Sequence, residues 1–297
     1  MYKKILIIGC GLIGSSILRT IIKKKLSKKI FVFEKNKKYK NQIKKINKKI
    51  ILIKKLDKNI QEMNFVIIAT PMSEYKKIIP KLNIFLKNNV LITDVGSTRT
   101  NVQKLIKEKL SKKLSWIMSH PIAGSEVSGP QHGNKNLFEN KWCIIIKDKN
   151  KANLNKVISF WKKIGSKIIL MNSKDHDRVF SITSHLPHLI AYNLIKTAQD
   201  FQKKDKKNLI QFSAGGLRDF SRIAASNEIM WRDIFFNNKK NMISAINKFS
   251  KNLNSFKKNI QNLEDKNLTK KLTNSKKVRK QIVQLKHDIA KPDFGRE

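Results

Sequence analysis

The sequence predicts an α/β protein in which a doubly wound, mostly parallel sheet is followed by an all-helical domain. Three observations lead there. Short apolar, β-branched runs alternate with amphipathic helical stretches over the first half of the chain. A glycine turn joins the first run directly to the first helix. After about Asn172 the strand pattern stops and helical periodicity takes over.

The expected strands are residues 4–8, 30–33, 50–53, 65–69, 90–94, 116–119, 142–146 and 167–170. Parallel neighbours need crossover connections, and the segments between these runs have helical character. In the first of them Ile13, Ile17 and Ile21 recur at four-residue spacing, with Leu18 and Ile22 on the same stripe. Two domains follow: residues 1–171, the sheet domain, and residues 172–297, the helical domain. In the second, Pro187 falls inside the apolar stretch 179–194 and should kink that helix; the next proline is Pro292. Beyond Lys239 the apolar positions reduce to one stripe, Met242, Ile246, Phe249, Leu253, Phe256 and Ile260. Such a stripe calls for a partner, and a homodimer through the helical domain is expected.

A chain of 297 residues can bury about two cores of ordinary size, and 40% hydrophobic content excludes a disordered protein. Cys10 and Cys143 form neither a disulfide framework nor a zinc spacing, and no apolar run reaches bilayer length, so a reducing cytoplasm is expected. Lys3 and Lys4 ahead of the apolar stretch 5–18 imitate an export signal. Three glycines at a functional spacing interrupt that stretch, and the helical pattern continues past Arg19, so it reads as folded structure. The net charge of +43 would ordinarily suggest nucleic acid or an anionic membrane. Yet 56 of the 64 basic residues are lysines scattered over nearly every helix and loop, with no stripe of interleaved aromatics. The abundance of Lys, Asn and Ile is what AT-rich codons impose, and neither a specific nucleic-acid partner nor a membrane is expected.

Gly9-Cys10-Gly11-Leu12-Ile13-Gly14 has the spacing G-x-G-x-x-G between a strand and an amphipathic helix, the context of a Rossmann-type dinucleotide site. Gly9 makes the tight turn, Gly11 lets a pyrophosphate approach, Gly14 packs helix on strand, and the helix start at Leu12 and Ile13 supplies amide donors. Glu34 closes the second strand, where a carboxylate accepts ribose hydroxyls and repels a 2′-phosphate, so NAD is expected ahead of NADP. Lys35, Lys37 and Lys38 blur that preference, since a lysine there can hold a 2′-phosphate.

In open α/β sheets ligands lie beyond the carboxyl ends of the strands. Thr70 and Pro71 follow the fourth strand, Asp94-Val95-Gly96-Ser97-Thr98 the fifth, and Ser119-His120-Pro121 the sixth. Thr70, Pro71, Asp94 and Gly96 are thus cofactor-side candidates, although Pro71 and Gly96 read equally well as turn punctuation. His120 opens a loop rich in glycine and proline, and an imidazole there is the natural base for a carbinol proton as hydride leaves. A structural histidine is an equal alternative on the residues alone. The second domain offers Asp175-His176-Asp177-Arg178, His185 and His188 three apart, and Trp231-Arg232-Asp233. Three of only eight arginines fall between residues 218 and 232, and Arg218 and Arg222, one turn apart, suit a carboxylate clamp. His176, His185 and His188 could be read as metal ligands, but no cysteine accompanies them and a nicotinamide oxidation needs no metal, so none is expected.

Taken together, Gly9-x-Gly11-Leu12-Ile13-Gly14-x-Ser16, Asp94-Val95-Gly96-Ser97, His120-Pro121-Ile122-Ala123-Gly124-Ser125-Glu126-x-Ser128-Gly129, Ser184-His185-Leu186-Pro187-His188 and the stretch 218–233 appear in one order. In these motifs the chain resembles the prephenate/arogenate (cyclohexadienyl) dehydrogenase family of tyrosine biosynthesis, from the first strand to about Asn238. The resemblance implies a Rossmann-type domain followed by a helical dimerisation domain. It also implies NAD-dependent oxidative decarboxylation of a small dicarboxylate, prephenate or arogenate, to 4-hydroxyphenylpyruvate or tyrosine. NAD takes the C4 hydride, the ring carboxylate leaves as carbon dioxide, and aromatisation drives the reaction. By the same resemblance His120 deprotonates the C4 hydroxyl and Ser97 orients it. Arg222 binds a substrate carboxylate, His185, His188 and Ser125 line the pocket, and Glu126, Asp219 and Trp231 shape or gate its mouth.

No mutase-like segment precedes the first strand and little chain follows the helical domain, so any feedback by tyrosine is expected at the active site. A two-domain dehydrogenase for a β-hydroxy or imino acid is the nearest rival, disfavoured by the segment 120–126; a basic nucleic-acid-binding protein is the rival of another class. Prephenate and arogenate are not separated by the sequence, which identifies no acid placed for an ammonium beyond the candidates Glu126 and Asp219.

Overall fold

The computed structural model describes residues 2–205 and 209–285; residues 286–297, which close the expected helical domain and include Pro292, lie outside the described residues. One sheet holds β1 (Tyr2–Ile8), β2 (Ser27–Phe33), β3 (Ile50–Ile53), β4 (Phe65–Ile68), β5 (Leu91–Asp94), β6 (Ser115–Pro121), β7 (Trp142–Ile146) and β8 (Lys167–Met171). Their spatial order is β3-β2-β1-β4-β5-β6-β7-β8. Strands β1 to β6 run parallel; β7 is antiparallel to β6, and β8 is parallel to β7. The winding direction reverses between β1 and β4, which creates the crevice where ligands bind such sheets.

β4 and β5 are buried at every position, which is why they read as unbroken runs without alternation. Helix α1 (Leu12–Lys23) turns Ile17, Leu18 and Ile21 onto the sheet against Ile5, Ile7, Val32 and Phe65. Each such aliphatic side chain stabilises the fold by about 1.5–3 kcal/mol. The same core receives Leu154, Val157, Phe160, Trp161 and Ile164 from α5 (Lys151–Ile164). Phe65 meets Phe160 edge-on with ring centroids 4.9 Å apart. The remaining crossover helices are α2 (Lys37–Ile46), α3 (Tyr75–Phe85) and α4 (Thr100–Lys109).

The chain packs as two compact units. The first comprises residues 2–185 and 225–239: the sheet, α1 to α5, α6 (Ser173–Phe180) and α9 (Glu228–Asn237). Polar bonds tie α9 down, since the Asp233 carboxylate accepts from the Ser73 amide at 2.9 Å and Asn238 just beyond it donates to the Asp177 carbonyl at 2.8 Å. The second unit, residues 186–224 and 240–285, is helical: α7 (Leu186–Asp205), α8 (Gly215–Ala224), α10 (Lys239–Gln261) and α11 (Asp265–Gln284). Helix α8 packs on α7, and α11 returns along α10, with Lys271 Nζ donating to the Ser255 carbonyl at 3.1 Å and hydroxyl at 2.6 Å. On α10, Leu253 and Ile260 remain 56% and 60% exposed, so part of the predicted apolar stripe is uncovered within one chain.

Around Pro187 the helical ladder is irregular: α6 runs into a π-helical turn, Ser181–His185, and that turn directly into α7 at Leu186. The widened turn just before Pro187 takes up its missing amide, one of the irregularities that a proline within a helical stretch brings.

Candidate active site

At the end of β1 the backbone turns through Gly9, whose φ of +86° favours glycine. The Gly9 amide donates to the Phe33 carbonyl at 2.9 Å and the Ala69 amide to the Ile8 carbonyl at 2.8 Å, which fixes the turn at the crevice. A Cβ on Gly9 would stand 2.6 Å from Thr70 Cγ2, and one on Gly14 would stand 2.2 Å from the Gly9 carbonyl oxygen. Gly11 has no such internal reason to be glycine. A Cβ there meets nothing within 4 Å, so the space it leaves lies open at the start of α1, where the amides of Leu12 and Ile13 are not consumed by the helix. Beside it, the buried Thr70 hydroxyl has no hydrogen-bond partner among the described residues. The Glu34 carboxylate accepts from the Cys10 amide at 2.8 Å and from the Asn36 amide at 2.9 Å, so it lies against the glycine turn where a ribose would sit. Lys35 is ion-paired with Glu74, while Lys37 and Lys38 are exposed on α2. These residues fit a dinucleotide and lean toward NAD. Pro71, exposed, opens the short turn Met72–Glu74 that leads into α3.

The turn after β5 has its carboxylate inward. Asp94 is fully buried and accepts from Tyr75 Oη at 2.9 Å, Trp116 Nε1 at 3.1 Å, the Gly96 amide at 3.0 Å and Arg99 Nη1 at 3.1 Å, while Arg99 Nη2 lies in ion-pair contact at 2.9 Å. With those donors in place Asp94 has no acceptor site turned outward; its work is to hold the turn that presents half-buried Ser97. Gly96 serves the same cluster, because a Cβ there would meet Arg99 Nη2 at 2.2 Å. Burial, reinforced by the Asp94 charge, pushes the Tyr75 hydroxyl well up from its ordinary value.

His120 lies at the end of β6, beside the end of β5, with the preceding residue locked in place. Ser119 Oγ bonds the Thr93 hydroxyl at 2.5 Å, donates to the Asp94 carbonyl at 2.9 Å and accepts from Trp161 Nε1 at 2.9 Å. The half-buried His120 ring has Nδ1 2.9 Å from His176 Nε2, and His176 Nδ1 is 2.9 Å from Asp177 Oδ1. Asp177 also accepts from the Arg99 and Thr100 amides, both at 2.8 Å, at the start of α4. Phe180 covers the pair, its ring 5.0 Å from His120 and 4.5 Å from His176. His120 Nε2 carries no hydrogen bond among the described residues. Burial, followed by the charges of His176, Arg99 and His185, holds the His120 pKa well below that of a free imidazole.

His185 is buried at the end of the π turn, its Nδ1 3.2 Å from Asn238 Nδ2, and the Trp231 ring stands edge-on to it at 6.2 Å. Ser125 is exposed and Glu126 half-buried on the loop after β6. The first unit therefore carries Ser97, His120, Ser125, Glu126, His185 and Trp231, while His188 on α7 and Asp219 and Arg222 on α8 belong to the second. Arg218 and Arg222 share an exposed face of α8. Nothing in the sequence marks His176 and Asp177 as partners of His120: His176 reads there as one of a possible metal set with His185 and His188, and Asp177 only as its neighbour. Among the described residues no group of three His, Cys, Asp or Glu side chains is arranged to hold a metal ion.

Fold and site together define a class, the nicotinamide-dependent dehydrogenases that bind their dinucleotide on a Rossmann sheet and carry a helical domain after it. Comparison with known proteins narrows this. Residues 19–170 match the family model described as prephenate dehydrogenase, nucleotide-binding domain, and residues 172–274 match prephenate dehydrogenase, dimerization domain. The chain is 29% identical to cyclohexadienyl dehydrogenase of Zymomonas mobilis, over 97% of this chain and 99% of that one. It is 32% identical to prephenate dehydrogenase of Lactococcus lactis, over 98% and 80%. Among solved structures, Aquifex aeolicus prephenate dehydrogenase in complex with hydroxyphenyl propionate and NAD+ superposes with a TM-score of 0.87 at 30% identity, covering 95% of this chain and 99% of the other. The chain belongs to the prephenate dehydrogenase family. Among the described residues no helix is long and apolar enough to cross a membrane.

Proposed function

We propose that this protein catalyses the NAD-dependent oxidative decarboxylation of prephenate, arogenate or both, giving 4-hydroxyphenylpyruvate or tyrosine. The observation that carries the reading is His120: a ring held neutral at the end of β6, with Nδ1 engaged and Nε2 without a hydrogen bond among the described residues, in a chain of this family. NAD bound at the glycine turn supplies the electron acceptor. His120 Nε2 takes the proton of the C4 hydroxyl while the C4–H bond breaks. Cleavage of the bond between the ring and its carboxylate releases carbon dioxide and returns that electron pair to the ring. The ring becomes aromatic, and the C4 oxygen recovers its proton from His120. The histidine thus ends as it began, and no net proton is released.

Ser97 orients the hydroxyl toward His120. Arg222 pairs with a substrate carboxylate as a planar fork, His188, His185 and Ser125 line the pocket, and Glu126, Asp219 and Trp231 shape its mouth. The active form is a homodimer joined through the helical domain in a reducing cytoplasm. The test is NADH production with each substrate, for the native protein and for His120→Asn. Turnover with at least one substrate, falling about 100-fold or more in the variant, is expected. Inactivity on both substrates would sink the assignment, and near-normal turnover by His120→Asn would remove the base.

A further inference from the structure

The contacts behind His120 determine where its proton sits. Asp177 is held ionised, because the bonds from His176, Thr100 and Arg99 outweigh the opposing effect of burial and lower its pKa. An ionised carboxylate only accepts, so the 2.9 Å contact with His176 requires the hydrogen on His176 Nδ1. Burial keeps His176 neutral despite Asp177, so its Nε2 carries a lone pair. The 2.9 Å contact between His176 Nε2 and His120 Nδ1 then takes its hydrogen from His120. We infer that Asp177, acting through His176, is a positioning residue that fixes the hydrogen of His120 on Nδ1 and leaves Nε2 bare to receive the substrate proton. This rests on the reading of His120 as the base.

Rigidity supports the assignment. Both Asp177 oxygens are pinned by the first amides of α4, so the carboxylate cannot rotate away from His176. The alternative tautomers would set a carboxylate oxygen against a ring lone pair inside a buried site, an arrangement without a hydrogen bond. When His120 takes the proton, its Nδ1–H still points at a nitrogen whose basicity Asp177 raises, so the positive charge is shared along the three residues. All three lie in the first unit.

The experiment reads tautomer and rate separately. Histidine-ring 15N NMR of the full chain, with His120 assigned by its absence in His120→Asn, should show Nδ1 protonated and Nε2 bare. In Asp177→Asn the Nε2-protonated form should become populated, and kcat should fall about 100-fold or more with KM changed less than about threefold. Because Asp177 also caps α4, a second pair keeps it in place. His176→Leu should lose kcat by a similar factor, while His176→Gln, whose amide can donate to Asp177 and accept from His120, should recover at least about tenfold of it. A native His120 protonated on Nε2, or equal rates for the Leu and Gln variants, would overturn the inference. Should His120→Asn keep its turnover, the base assignment fails while the measured tautomer stands by itself.

Discussion

Arg99 and Arg178 each face an aspartate, and their environments predict opposite costs for the same change to methionine. Arg99 and Asp94 are both fully buried, joined by contacts of 2.9 and 3.1 Å, and Arg99 also donates to the Thr98 carbonyl at 2.7 Å and the Ser119 carbonyl at 3.3 Å. In Arg99→Met the Asp94 charge keeps Tyr75, Trp116 and Gly96 as donors but loses its ion-pair partner, and two carbonyls lose a donor. Breaking one side of a buried pair costs about 3–5 kcal/mol. At roughly 2–4 °C per kcal/mol this lowers the melting temperature by roughly 6–20 °C. Arg178 and Asp175 stand 3.2 Å apart with side chains 74% and 51% exposed, so water already solvates both. Arg178→Met should cost no more than about 1 kcal/mol. Thermal melts of both variants beside the native protein decide it. A melting temperature for Arg99→Met within about 2 °C of native, or equal losses in the two variants, would refute the burial argument.

Gly11→Ala should melt like the native protein yet raise KM for NAD about tenfold or more, because its methyl enters open space that only the pyrophosphate would fill. Gly14→Ala should lose about 1–3 kcal/mol of stability, since its Cβ meets backbone at 2.2 Å; equal melting of the two alanine variants would contradict both expectations. As the proposed base, His120 must be neutral to act, and burial holds its pKa below the ordinary imidazole value. Activity is therefore present above the lowered pKa and lost only as pH falls through it, so kcat/KM should hold on the acid side beyond the point where a free histidine titrates. A kcat/KM profile already falling near the ordinary value of about 6.5 would contradict this. Leu253→Lys with Ile260→Lys should convert a dimer into monomers in sedimentation; a native protein sedimenting at one chain's mass at micromolar concentration would remove that expectation.

What was legible in the sequence depended on whether a signal is local. The strands were, because β4 and β5 are buried on both faces and admit little but apolar side chains. The glycine turn was also legible, because its three glycines answer to one turn, one ligand and one packing contact within six consecutive residues. Arg99 was not. In the polar string Gly96-Ser97-Thr98-Arg99-Thr100 nothing marks a guanidinium as fully buried, and its burial makes sense only with Asp94, Tyr75 and Trp116 drawn around it. The arginines that stood out by clustering, Arg218 and Arg222, are exposed on α8.

The contacts behind His120 show the same limit. His120 could be singled out because it ends a strand, and strand ends line the crevice of such a sheet. His176 and Asp177 lie beyond the last strand, on α6, after the point where the sequence pattern turns helical. Packing nevertheless groups α6 with the sheet, and the amides opening α4 bind Asp177 at the same time as His176 does. A polar pair on a helix reads as a solvated face unless the opposing element is known. Here that element is the start of α4, which follows directly from the turn that Asp94 and Gly96 build after β5. The buried ion pair and the proposed tautomer of His120 are therefore mechanically joined through one residue, Arg99, whose side chain holds Asp94 and whose amide holds Asp177. It follows that Arg99→Met, beyond its cost in stability, should loosen His120 without touching it, whereas Arg178→Met should leave the rate of the reaction as it is.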